Sequence, residues 1–95
     1  MDAPEPRALH AIVRGRVQGV GFRYAAIREA NRLGVRGTVR NTDDGCVEVI
    51  AEALADQLAL FLAWLEHGPA GAHVRKVDVS YQQPSGAYRG FEIEF

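Results

Sequence analysis

The chain has 95 residues, which is enough for one domain with a single modest core. Hydrophobic residues make up 47% of it and charged residues 24%, a globular composition that argues against a disordered, collagen-like or coiled-coil chain. The formal net charge of −1 by itself predicts no affinity for nucleic acid or for an anionic membrane.

The charges are unevenly distributed along the chain. Residues 1–42 carry eight arginines against three acidic residues, a balance of +5, whereas residues 43–95 carry three basic residues against nine acidic ones, a balance of −6. An excess of arginine can mark an anion site or a solvated basic surface. The asymmetry alone favours the solvated surface.

The chain shows no sign of secretion or membrane insertion. Cys46 is the single cysteine, so neither an intramolecular disulfide nor a cysteine-rich zinc site can form. Residues 1–7 lack the basic start and apolar run of a signal peptide and are predicted to be a disordered lead-in, followed by one domain over residues 8–95. The longest apolar run, residues 58–65, is far shorter than the roughly 20 residues of a membrane span. We expect a cytoplasmic protein without a membrane partner.

The first elements in chain order are a strand and a helix. Apolar and polar residues alternate over Ala8–Arg14, which predicts a strand. After a segment that contains Gly15, Gly19 and Gly21, apolar residues follow the helical period over Phe22–Leu33. The glycine that follows this stretch is a natural helix stop.

A hairpin comes next. The stretches Val35–Thr42 and Cys46–Ala53 are rich in residues that favour strands, and they flank the sequence Asp43-Asp44-Gly45. Asp-Gly is a preferred tight turn between paired strands. The two stretches are therefore predicted to pair antiparallel.

The remainder of the chain predicts a second helix and two strands. Apolar residues recur at helical spacing over Asp56–His67, and Gly68-Pro69 ends that pattern. Alternation predicts a strand over Lys76–Tyr81 and, after the break at residues 84–86, a short strand over Phe91–Phe95.

The predicted order is strand, helix, hairpin, helix, strand and a short extra strand. This βαββαβ plan is typical of a ferredoxin-like α+β sandwich, an antiparallel sheet with two helices on one face. The predicted core is the apolar side of each periodic segment: Leu9, Val13, Ala26, Leu33, Val47, Val49, Leu58, Phe61, Leu62, Leu65, Val77, Val79 and Phe91.

Residues 15–23 form a glycine-containing junction between a strand end and a helix start, where free backbone N–H groups can bind an anion. Glycine spacing alone is a weak signal, and by itself it favours an ordinary tight turn. The spacing matches neither the dinucleotide fingerprint nor a Walker loop, so nucleotide binding is not expected.

Two polar side chains near this junction are candidates with competing interpretations. Arg23 lies in the first helical turn, where a cation opposes the helix dipole unless an anion compensates it. A solvent-facing arginine is the commoner case. Asn41 precedes the hairpin turn, and its position alone favours a local bond to the backbone.

In combination, several motifs resemble the acylphosphatase family over residues 8–95. The two most specific motifs are Val13-x-Gly15-x-Val17-Gln18-Gly19-Val20-x-Phe22-Arg23 and Gly37-x-Val39-x-Asn41-x-x-Asp44-Gly45-x-Val47-Glu48. The resemblance is extended by Phe61-x-x-Trp64-Leu65-x-x-Gly68-Pro69, Ala72-x-Val74-x-x-Val77 and Phe91-x-Ile93.

The resemblance implies a hydrolase that cleaves the carboxyl-phosphate bond of acyl phosphates, without a metal, a cofactor or a covalent intermediate. It implies that Arg23 binds the phosphoryl group and that Asn41 positions the attacking water, on a sheet of strand order 4-1-3-2. We expect a monomer, with inorganic phosphate or sulfate as a product-like ligand. The implied phosphate-binding residues are Arg16, Val17, Gln18, Gly19, Val20, Gly21, Phe22 and Arg23.

The chain departs from the family pattern at two positions. Thr38 stands where many members carry an aromatic residue, and Ala53 stands where a glycine commonly precedes the second helix. Neither residue belongs to the implied catalytic pair.

Three alternatives remain open at this point. An RNA-recognition module shares the element order but stacks bases on aromatic residues of its first and third strands, and here those strands carry none. A carbamoyl-phosphate-handling domain, such as begins the large hydrogenase-maturation proteins, has nearly the same motif. A metal site is disfavoured because His10, His67, His73 and Cys46 lack the usual ligand spacing.

Overall fold

A computed structural model of the chain describes residues 5–95, and the predicted order of elements is confirmed. The strand that was expected to begin at Ala8 begins at Pro6, and residues 1–4 of the expected lead-in lie outside the described range. The elements are β1 (Pro6–Arg16), α1 (Phe22–Leu33), β2 (Arg36–Asn41), β3 (Val47–Leu54), α2 (Ala55–Leu65), β4 (His73–Gln82) and β5 (Phe91–Ile93).

The sheet has the order β4-β1-β3-β2-β5. The expected order 4-1-3-2 is confirmed, and neighbours among these four strands pair antiparallel. The short C-terminal strand β5 pairs parallel to β2, so the expectation of an antiparallel sheet is wrong for this strand, and the whole sheet is mixed. The reason lies in where β4 ends. Gln82, its last residue, pairs with Ala8 near the start of β1, so the chain enters β5 from the edge of the sheet where β2 also begins.

The core lies between the sheet and the two helices. The predicted core is confirmed, because nine of its members are buried and Leu33, Leu62, Val77 and Val79 pack partly buried against them. Phe22 joins the core as well, with its ring centroid 5.4 Å from that of Trp64. The buried predicted members are Leu9, Val13, Ala26, Val47, Val49, Leu58, Phe61, Leu65 and Phe91.

The segment before α2 needs no glycine. Ala53 lies within β3, and Leu54 has an extended backbone at φ −66° and ψ 154°, so the strand passes directly into the helix. The Leu54 N–H donates to Oε1 of Gln57 at 2.9 Å, which satisfies one backbone donor at the helix start. Ala53 is therefore compatible with this junction.

The sheet face away from the helices carries most of the paired charges. Arg14 donates to Asp78 at 2.6 Å, and Arg40 and His10 both bond Glu48. The hydrogen bond from His10 and the pairing with Arg40 hold the pKa of Glu48 below its usual value, against the opposing effect of burial. Two of the eight arginines of residues 1–42, Arg14 and Arg40, thus belong to ion pairs on this face.

No helix within residues 5–95 is long and apolar enough to cross a membrane.

Strand pairing brings two chain segments to one edge of the sheet. Both β1 and β2 pair antiparallel with β3, so they run parallel to each other and end at the same edge. Val47 lies between them, opposite Val13 on one side and Asn41 on the other. At about 4.8 Å between neighbouring strands, the backbones of Val13 and Asn41 are about 10 Å apart.

Candidate active site

The loop of residues 17–21, which we call the glycine loop, joins β1 to α1 at this edge. The side chains that flank it are anchored in the core, because Val17 is 1% exposed and Phe22 is 2% exposed. The side chains of these two residues are therefore committed to packing, and only their backbone groups are free to bind a ligand. Both ends of the glycine loop are thus positioned by core packing.

Two glycines shape the open side of the glycine loop. Gly19 and Gly21 have φ values of 73° and 76°, a left-handed conformation that favours glycine. A side chain added at either position would meet no atom within 4 Å, so the surface beside them is open. Within residues 5–95, no hydrogen bond uses a backbone N–H of residues 18–24. These N–H groups are available to an anion.

The start of α1 carries uncompensated positive charge. Gly21 caps the helix without a side-chain hydrogen bond, and the first turn has no acidic residue. Arg23 lies in that turn and forms no ion pair within the described part of the chain. Its guanidinium carbon lies 5.9 Å from the centroid of the Phe95 ring, a cation–π distance. Helix dipole and guanidinium together favour an anion here.

Asn41 ends β2 on the face that the helices cover, since Gly37 and Val39 of the same alternating set are buried. Its Oδ1 atom is buried and accepts no hydrogen bond from any residue of the described range. The local backbone bond that its position favoured is therefore not made by this oxygen. A buried acceptor without a partner is rare in proteins and is common at functional sites.

The hairpin turn after Asn41 is held by its neighbour Thr42. The Thr42 N–H donates to the Cys46 carbonyl at 2.9 Å, and its hydroxyl oxygen accepts the Cys46 N–H at 3.0 Å. The same hydroxyl donates to Asp44 and keeps the pKa of that carboxyl below its usual value. The turn therefore does not depend on the Asn41 side chain.

Gln18 joins the glycine loop to this turn. Its Nε2 donates to the carbonyl oxygens of Thr42 and Cys46, at 2.8 Å in each case. The structure thus brings the glycine loop, Arg23 and the end of β2 together. Arg16 is exposed at the end of β1, next to the glycine loop, and forms no ion pair within residues 5–95.

A metal centre finds no support in the described residues. Within residues 5–95 no group of three or more His, Cys, Asp or Glu side chains is arranged to hold a metal ion. Of the histidines considered from the sequence, His10 is bonded to Glu48. Cys46 is buried, and its sulfur accepts a hydrogen bond from Arg14 at 3.6 Å.

Comparison with known proteins identifies the family. The family model described as acylphosphatase matches residues 9–93. The chain belongs to the acylphosphatase family. It is 48% identical to an acylphosphatase of Thiobacillus denitrificans over 86 residues, which cover 90% of this chain and 94% of that protein. The expectation drawn from the sequence motifs is confirmed.

Solved acylphosphatase structures match the whole fold. The crystal structure of acylphosphatase from Bacillus subtilis superposes with a TM-score of 0.90 at 35% identity, covering 94% of this chain and 99% of the other. An acylphosphatase from Coxiella burnetii gives a TM-score of 0.91 at 30% identity, covering 99% and 100%. The protein is therefore an acylphosphatase-type hydrolase of acyl phosphates on the ferredoxin-like fold.

Two contacts of this acylphosphatase site have no signal in the sequence. Nothing in the spacing of Gln18 within the glycine loop indicates that its side chain reaches the hairpin. The alternation that includes Phe95 predicts a strand and does not indicate that its ring lies beside Arg23. Both contacts join segments distant in sequence, which local periodicity does not reveal.

Proposed function

We propose that the glycine loop, with the first N–H groups of α1, and Arg23 bind the phosphoryl group of the acyl phosphate. Support comes from the N–H groups of residues 18–24, which form no hydrogen bond within residues 5–95, and from the absence of an acidic residue in the first turn of α1. A guanidinium can donate to two phosphoryl oxygens at once, which fixes orientation as well as charge. The open surface beside Gly19 and Gly21 leaves room for the group.

Asn41 has the complementary role of holding the attacking water. The observation that carries this assignment is its buried Oδ1, which accepts no hydrogen bond within residues 5–95 and lies at the same edge of the sheet as the glycine loop. Such an acceptor takes one hydrogen of a water molecule and turns the oxygen lone pair toward phosphorus. Orientation of this kind accounts for a large part of rate enhancement in displacement reactions.

The reaction then needs little further help from the protein. The water oxygen forms a bond to phosphorus, the bond from phosphorus to the acyl oxygen breaks, and its electron pair leaves with the carboxylate. A proton of the water passes to a phosphoryl oxygen of the substrate, which leaves as inorganic phosphate. Because a carboxylate is a weakly basic leaving group, positioning and charge stabilisation suffice.

A hydrolysis assay in metal-free buffer tests this mechanism. Acetyl phosphate, benzoyl phosphate and carbamoyl phosphate are compared with p-nitrophenyl phosphate, a plain monoester, with and without EDTA. We expect rapid hydrolysis of the first two substrates, little turnover of the monoester, no effect of EDTA, and competitive inhibition by inorganic phosphate.

Two outcomes of this assay would overturn parts of the proposal. Activity that EDTA removes and a divalent ion restores contradicts binding by arginine and amides alone. Carbamoyl phosphate as the one substrate turned over would favour the carbamoyl-phosphate alternative. A monomeric state, a cytoplasmic location and binding of sulfate in place of phosphate stay predictions.

A further inference from the structure

The carboxamide of Gln18 makes a two-pronged contact between parts of the site that the sheet does not join directly. Its Nε2 donates one hydrogen to the Thr42 carbonyl and one to the Cys46 carbonyl, each at 2.8 Å. Both partners are acceptors, so the amide nitrogen must face them. The two hydrogens of one planar NH₂ group thus bond both ends of the hairpin turn, Thr42 and Cys46.

The glycine loop and Asn41 follow or end strands that do not pair with each other, so the sheet sets the distance between them only through a third strand. β3 lies between β1, which leads into the glycine loop, and β2, which ends in Asn41. Within residues 5–95, the two bonds from Gln18 are the side-chain hydrogen bonds that join residues 17–21 to residues 42–46. Thr42 directly follows Asn41, so the contact acts one residue from the proposed water-holding group.

We propose that Gln18 is a positioning residue that sets the distance between the anion-binding loop and Asn41. This inference rests on the proposed function of those two parts. The backbone N–H of Gln18 belongs to the loop that faces the phosphoryl group, while its side chain holds the turn that carries Asn41. One residue therefore contributes to both halves of the reaction geometry without touching the water.

A positioning role of Gln18 predicts separate effects on kcat and on phosphate affinity. Displacement of a reacting group by about 1 Å costs on the order of 100-fold in rate, whereas binding of the anion by loop amides and Arg23 does not need Asn41. Loss of the Gln18 contact should therefore lower kcat and leave phosphate affinity nearly unchanged. A merely structural bond would lower the melting temperature and leave kcat per folded molecule intact.

The matched pair of variants is Gln18→Met and Gln57→Met. Each removes a glutamine side chain that bonds the backbone, since Gln57 accepts the Leu54 N–H at 2.9 Å, remote from the glycine loop. We expect kcat to fall about 10- to 100-fold in Gln18→Met, with the phosphate inhibition constant nearly constant, and to stay at the wild-type value in Gln57→Met. If Gln18→Met does not fold, Gln18→Asn is measured in its place, because it keeps the amide donor on a side chain that is one methylene shorter.

A double-mutant cycle with Asn41→Ala decides whether Gln18 acts through Asn41. We expect Gln18→Met to lower kcat strongly in the wild type and only slightly in the Asn41→Ala background. An equal fold-decrease of kcat in both backgrounds, or a wild-type kcat in folded Gln18→Met, overturns the positioning role of Gln18. If kcat is nevertheless low in Asn41→Ala, the proposed function still stands. A wild-type kcat in Asn41→Ala itself overturns the proposed function and this inference with it.

Discussion

A buried polar side-chain group lies at each of the two edges of the sheet, and the two groups differ in their hydrogen bonding. At the edge remote from the glycine loop, Glu52 is 8% exposed and accepts three hydrogen bonds. These come from the Ser85 N–H at 2.8 Å, the Ser85 hydroxyl at 2.9 Å and the Gly86 N–H at 3.0 Å. At the other edge, the buried Oδ1 of Asn41 has no partner within residues 5–95.

The difference separates a polar group that stabilises the fold from one that is free to act. Burial alone would raise the pKa of Glu52, but its hydrogen bonds from Ser85 and Gly86 outweigh burial and hold the pKa below its usual value. The carboxylate fastens the loop before β5. A surface cavity of about 340 Å³ at this edge is lined by Glu52, Arg36 and Tyr88. This cavity does not coincide with the proposed site, which within residues 5–95 is distinguished by an unpartnered acceptor beside backbone N–H groups that form no hydrogen bond.

The largest effect is expected at Arg23, the residue proposed to bind the phosphoryl group. Replacing Arg23 with lysine or alanine should lower kcat/KM by about 10³-fold, because a point ammonium cannot make the two-pronged contact to a phosphoryl group. The phosphate inhibition constant should rise in parallel. Steady-state kinetics with benzoyl phosphate and phosphate titration measure both quantities.

Arg28 provides the matched control for Arg23. It is exposed on α1 and forms no ion pair in the described part of the chain, so Arg28→Lys should keep wild-type kinetics. Near-normal phosphate affinity in folded Arg23→Ala would move anion binding to another cation, with Arg16 the first to examine.

A smaller effect, on stability alone, is expected at the opposite edge. Glu52→Gln replaces one acceptor oxygen with an amide nitrogen that faces a donor, so one hydrogen bond to a buried charge is lost. The free energy of unfolding should fall by roughly 1–3 kcal/mol, while kcat per folded molecule stays constant. Glu92→Gln, an exposed change on β5, is the control and should leave both unchanged.

The pH dependence sharpens the same comparison. Because the folded-state pKa of Glu52 is lowered, its stabilisation is present above the unfolded pKa of about 4.3 and is lost as pH falls through the folded pKa. The stability gap between wild type and Glu52→Gln should therefore be full at neutral pH and shrink below about pH 4. Denaturant unfolding at several pH values measures it, and a constant gap would exclude the carboxylate as the cause.

The sequence predicted the element order and the core because these follow from short-range periodicity. The spacing of Leu58, Phe61 and Leu65 indicates a helix before any contact is known, and all three are buried. The parallel pairing of β5 is different. It depends on the edge of the sheet at which β4 ends and its following loop is held by hydrogen bonds to Glu52. In the sequence, Glu52 is recognisable only as a polar residue of an alternating strand.

The candidate site was predictable in its residues but not in its arrangement. Motif resemblance singled out Arg23 and Asn41, since the glycine loop and the hairpin are each continuous in sequence. Their approach depends on β3 separating β1 from β2 and on the reach of the Gln18 side chain, which are tertiary features. Composition alone favours a solvated basic surface, and ion pairs account for Arg14 and Arg40, whereas Arg23 forms no ion pair within residues 5–95.

The proposed role of the buried Oδ1 of Asn41 is to hold the attacking water, without a contribution to the stability of the fold. It is tested most directly by measuring kcat, the phosphate inhibition constant and the melting temperature on Asn41→Ala, with the exposed Asn31→Ala on α1 as control. We expect kcat to fall by about 100-fold in Asn41→Ala alone, with phosphate inhibition and melting temperature unchanged or the latter raised. A folded Asn41→Ala enzyme with wild-type kcat, or one whose melting temperature falls while kcat per folded molecule persists, would contradict the claim.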